Sequence, residues 1–133
     1  MQKTVRFLVL VLLTAPGLWL APQAFADGEV PAGSELRKEL FALARPQIER
    51  VAGQAVRFQG SMKQLGDWVF FQGTIRDASG DSIHVGPAES AETAILWVQR
   101  KGKWTVVEAE TGFTDVIWLD WPKKHQTPPA LFE

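Results

Sequence analysis

The chain has no cysteine, no tyrosine and only two histidines in 133 residues. Without cysteine there is no disulfide framework, no thiolate zinc site, no cysteine nucleophile and no lipid-modified cysteine. A histidine-based metal site or nucleophilic triad has only His84 and His125 to draw on, and neither sits in a motif. A serine-nucleophile elbow, a phosphate-cradling glycine loop and a string of zinc ligands are also missing. There is no positive excess, since 14 Lys and Arg face 15 Asp and Glu, so nothing points to nucleic acid as a partner. The longest apolar run, Phe7 to Leu13, is interrupted by Thr14, Pro16 and Gly17, whereas a membrane-spanning helix needs about 20 apolar residues.

That run has a different reading. Lys3 and Arg6 precede it and the small-residue pattern Ala24-Phe25-Ala26 follows, the arrangement of a secretory signal peptide cleaved after Ala26. The mature chain would have 107 residues and, having shed Lys3 and Arg6 but no acidic residue, a formal charge of −3. The implied address is the bacterial periplasm or the outside of the cell, with no membrane span after cleavage. A domain of this length buries roughly 65% of its unfolded surface and folds without staples. Five of the six tryptophans remain in it and supply much of the core.

Residues 27–33 combine turn formers with little apolar content, which predicts a flexible lead-in to a single domain over 34–133. Ser34 can cap a helix whose Leu36, Leu40, Leu43, Ala44, Ile48 and Val51 recur at helical spacing, with Pro46 kinking or breaking it and Gly53 ending it. The period then changes to two. Val56, Phe58 and Met62 alternate with polar residues in a strand where Gly60 is a candidate bulge. A central strand follows from Trp68 to Ile75, apolar on both faces at first. Asp77 and Asp81 flank Ser79-Gly80 in a spacing that loosely resembles a calcium loop but fits a hairpin turn better.

Ala94–Arg100 and Lys103–Ala109 form the best strand pair, joined by Lys101-Gly102. Pairing Arg100 with Lys103 sets Trp97 opposite Val106, Ile95 opposite Glu108 and Leu96 opposite Val107. Both faces of this hairpin carry bulk, so the helix can cover one and a second cover is required. Thr114 can cap a short helix from Asp115 that carries Ile117, Trp118 and Trp121 and packs back on the sheet. The terminal Pro128 to Phe132 reads as extended, with Leu131 and Phe132 docked. The fold class is therefore α+β: an N-terminal helix on an antiparallel sheet of about four strands, with a short Trp-rich C-terminal helix.

Candidate chemistry is sparse. In this register Glu108 shares a face with Trp97 and Trp104, where burial beside aromatics would raise its pKa and suit it to proton transfer. His84 is the other candidate for such a role. Trp118 and Trp121 are candidate binding anchors, as are Trp97 and Trp104. No metal and no cofactor is implied.

The order of features, with Ala44-Arg45-Pro46, Val56-Arg57-Phe58, Gly66-Asp67-Trp68, Gly102-Lys103-Trp104 and Thr114-Asp115-Val116-Ile117-Trp118, resembles a group of small exported bacterial proteins of unassigned function. More loosely, a helix followed by an antiparallel sheet is similar to the cystatin-like superfold, which includes nuclear transport factor 2-like proteins. The resemblance implies address and fold, not activity, because that superfold hosts enzymes and binders alike. The expected function is non-catalytic: a binding or accessory protein of the envelope, inhibitory or protective toward another envelope or extracellular protein. The alternative is a small-molecule binder or a simple acid/base enzyme using the concave sheet face.

Overall fold

The computed structural model describes residues 27–133, and the leader expected over residues 1–26 lies outside the described residues. The expected flexible lead-in is tied down instead. Gly28–Glu29 (β1) pairs antiparallel with Gln64 and Lys63, and Val30 is buried. Arg37 holds this segment from the helix side: its guanidinium donates to Val30 O at 3.1 Å and to Gly60 O at 2.8 Å.

The first helix, Glu35–Ala52 (α1), starts and stops where its caps dictate. Ser34 Oγ accepts from Arg37 N at 3.2 Å, and Gly53, in the left-handed region at φ 73°, donates to Glu49 O. α1 is one helix and does not break at Pro46. Pro46 and Ala42, whose carbonyl loses its usual amide partner, both lie on the exposed side where water can substitute. The buried stripe is rotated from the expected one. Leu40, Phe41, Ala44 and Ile48 are buried together with Arg37, whereas Leu43 and Val51 are 43% and 56% exposed. Phe41 sets that rotation by stacking on Phe58 at 4.3 Å and meeting Phe71 and Trp97 edge-on at 5.0 and 6.1 Å.

The remaining strands are Arg57–Leu65 (β2), Trp68–Arg76 (β3), Glu92–Arg100 (β4) and Lys103–Thr111 (β5), and the sheet runs β1-β2-β3-β4-β5, all antiparallel. There are thus five strands, one more than expected, the extra being β1. Gly60 is no bulge, since β2 and β3 pair without interruption and Gly60 faces Gly73. The irregularity lies in the last hairpin. Arg100 pairs with Lys103 and Trp97 with Val106 as expected, but Leu96 then pairs with Glu108 and Ile95 with Ala109, which leaves Val107 as an extra residue in β5. Asp77 closes a turn, its Oδ1 accepting from Ser79 N, Ser79 Oγ and Asp81 N. These bonds hold its carboxyl below the usual carboxylate range, the Ser79 hydroxyl contributing most.

Both sheet faces are covered. α1 packs over Met62, Phe71, Ile95 and Trp97, while the tail packs over Phe70, Ala94 and Leu96 with Trp118, Trp121 and Leu131. The helix expected from Asp115 is absent. Turns occupy residues 117–120, and the second helix, Trp121–His125 (α2), has Pro122 in its first turn. Pro122 needs no amide partner there, which makes it a helix opener. Pro129–Phe132 is a 3₁₀ turn rather than an extended end, and Leu131 docks as expected.

Candidate functional site

The extra residue in β5 decides where Glu108 points. Strict alternation would put Trp104, Val106 and Glu108 on one face. With Val107 bulged the phase slips, so Trp104, Val106 and Ala109 pack in the α1 core while Val107 joins the tail core and Glu108 turns toward α2. Glu108 therefore does not share a face with Trp97 and Trp104, which corrects the sequence expectation. Its neighbours are Lys124 and His125, in the last turn of α2, where positive charge also offsets the negative end of the helix. Lys124 Nζ lies 2.9 Å and His125 Nε2 2.7 Å from Glu108 Oε2, and the imidazole sits edge-on to Trp121 at 6.5 Å.

The Glu108 side chain is only 15% exposed. Burial pushes its carboxyl up, but hydrogen bonds and charge from Lys124 and His125 outweigh this, so its pKa lies below the ordinary value. Glu108 in turn raises that of Lys124. A carboxylate held ionised is a weak base and has no proton to give near neutral pH. The pH dependence follows from the sign of the shift. A depressed folded-state pKa contributes stability above the unfolded-state value, and this is lost as pH falls through the folded value. Glu108→Gln should cost about 1 to 2 kcal/mol near neutral pH and less in acid, which denaturant titrations of both proteins across the carboxylate range will measure.

Beside this cluster opens a groove of about 330 Å³, lined by Glu108, Glu110, Asp120 and Lys124 at its walls and by Phe113, Ile117 and Trp121. Three carboxylates and one ammonium thus line the groove together with three apolar side chains. Val116 and the 80% exposed Leu119 lie on the same loop as Ile117 and Asp120. His84 is elsewhere: it is exposed on the rim of a wider polar cavity of about 500 Å³ with Thr74, Ser82 and Ser90. The four candidate tryptophans are all buried. Trp97 is fully enclosed with its Nε1 donating to Leu40 O at 2.9 Å, Trp104 packs in the α1 core, and Trp118 and Trp121 are the second cover of the sheet.

Sequence reasoning named Glu108 but missed Lys124, Asp120 and Ile117 as its surroundings. The one available signal was charge, a Lys123-Lys124-His125 run and an acidic end of β5 that lie far apart in the chain. Among the described residues no group of three or more His, Asp and Glu side chains is placed to hold a metal ion, and no helix is long and apolar enough to cross a membrane. Compared with protein-family models, with curated proteins and with solved structures, the chain matches none.

Proposed function

We propose that this is a non-catalytic binding protein of the bacterial envelope, exported to the periplasm or beyond, that captures a cationic segment of a protein partner in the groove between β5 and the tail. The observation that carries this reading is that the exposed Glu110 and Asp120 line one groove with the paired Glu108 and the half-buried Phe113 and Ile117. Glu110 and Asp120 take the head of a lysine or arginine side chain, the half-buried Phe113 and Ile117 take its aliphatic stem, and Leu119 offers an apolar contact beside them. The ionised, doubly paired Glu108 supports binding over proton transfer. The order β1-α1-β2-β3-β4-β5 supports the likeness to the cystatin-like superfold, and the leader pattern supports export.

Titration calorimetry with an amphipathic lysine–leucine peptide, and with its glutamate–leucine counterpart, tests the reading. The basic peptide should bind and the acidic one should not, and binding should weaken with added salt. Asp120→Asn combined with Leu119→Ser should reduce affinity roughly tenfold. Equal binding of both peptides, or indifference to the double substitution, counts against it. The second reading, a small-molecule binder or simple acid/base enzyme, draws on the polar cavity beside His84. It predicts that His84→Ala removes the activity while the groove substitutions leave it intact.

A further inference from the structure

We propose that the protein pairs with a second copy of itself along β5, joining two five-stranded sheets into one across a twofold axis. The two ends of the sheet are unlike. One is closed by β1, only two residues long, but the other is β5, nine residues without proline and with Thr105, Val106 and Val107 at its centre. A long edge of this kind is a template for another strand.

The free edge has a definite hydrogen-bonding phase. Lys101 and Gly102 both have positive φ, 54° and 76°, the two-residue turn whose flanking residues Arg100 and Lys103 form a bonded pair. At the other end Gly112 N donates to Glu92 O. Alternation from these two anchors turns the backbone groups of Trp104, Val106, Ala109 and Thr111 away from β4. Gln47 Nε2 reaches Ala109 O at 3.4 Å, which agrees with this phase and leaves that carbonyl a second lone pair.

The edge is also complementary to itself. Lys103 and Glu110 are seven apart, so in a regular strand they would lie on opposite faces. The Val107 bulge brings both to the tail face. Antiparallel twofold pairing that matches these outward groups sets Val106 opposite the partner's Ala109, Trp104 opposite the partner's Thr111 and Thr105 opposite the partner's Glu110. This leaves Lys103 diagonal to the partner's Glu110, within reach of two long side chains. The symmetry makes each ion pair twice. On the helix face, Leu43 and Val51 stand one turn before and after Gln47, and both are largely exposed. They run beside the β5 edge as an apolar stripe, so two copies can close over the joined strands. Such an isologous contact ends at a dimer and does not propagate. A foreign strand would find the same backbone groups, but only a second copy supplies the matching charge pattern.

Sedimentation equilibrium tests the pairing, and Lys103 and Glu110 are both exposed, so their replacement does not threaten folding. The wild type should sediment with twice the protomer mass. Lys103→Glu alone and Glu110→Lys alone should each weaken dimerisation roughly tenfold or more, because every lost pair is lost twice. The double substitution should restore the wild-type constant to within about threefold. Protomers alone at millimolar concentration, a dimer indifferent to either single substitution, or a double substitution that does not recover it would each overturn the proposal. The groove reading is tested separately through Asp120 and Leu119, which this pairing does not use.

Discussion

Trp97→Ala should lower the unfolding free energy by about 3 to 5 kcal/mol, a large share of the 5 to 15 kcal/mol typical of a domain. Trp97 is fully buried in β4, the strand flanked on both sides, and meets Phe41 of α1 edge-on. Its truncation removes the largest enclosed side chain and opens a cavity that two packed elements cannot both move to fill. The indole also donates to Leu40 O. Trp97→Phe keeps much of the volume and drops that bond, so it should cost only about 1 to 2 kcal/mol. Urea titration of the three proteins gives both numbers, and an unchanged slope will show that the loss lies in the folded state. A cost for Trp97→Ala below about 1 kcal/mol would mean that α1 does not depend on this contact.

Gly73→Ala should be of similar or greater severity, about 3 to 5 kcal/mol or outright loss of cooperative unfolding. A Cβ at Gly73 would stand 2.1 Å from Gln59 O and 2.7 Å from Gly60 Cα, and one at Gly60 would stand 2.3 Å from Gln72 O. Those neighbours are backbone atoms of the paired strand, not flexible side-chain ends, so relief means prising β2 from β3 along its length. The two glycines face each other in an otherwise unbroken register. Thermal unfolding will show the effect as a fall in midpoint. A change within about 0.5 kcal/mol would mean that the two strands separate locally without loss.

Gly60 illustrates what a sequence conceals. An interior glycine in a strand signals either a bulge or a close approach of another backbone, and only the partner strand decides between them. Here the partner position is also glycine and the close approach wins. The actual bulge, at Val107, carries no local mark: Thr-Val-Val-Glu reads as regular strand. It exists because β4 is buried on both faces and β5 must satisfy α1 with Trp104 and Ala109 and the tail with Val107. The same slip explains why Glu108 could be singled out from the sequence while its surroundings could not. Its two partners arrive from α2, across a loop whose fold depends on Trp118 and Trp121 finding the sheet. β1 was illegible for a related reason, since Gly28 and Glu29 have no strand preference of their own and are extended only because β2 offers a ladder.

By itself the sequence determined what short-range forces control. Ser34 and Gly53 bound α1 because their side chain or backbone satisfies the groups a helix end leaves open. Lys101-Gly102 makes the last hairpin because both positions accept positive φ. Two-faced apolar strands demanded two covers, and the tail tryptophans were the available second one. The tertiary structure decided what depends on contacts between distant segments: the rotation of α1 about its axis, the fifth strand, the bulge and the face that Glu108 occupies. A one-residue slip in a strand changes no local energy much, but it exchanges one sheet face for the other, and only the packed layers on both sides choose between them.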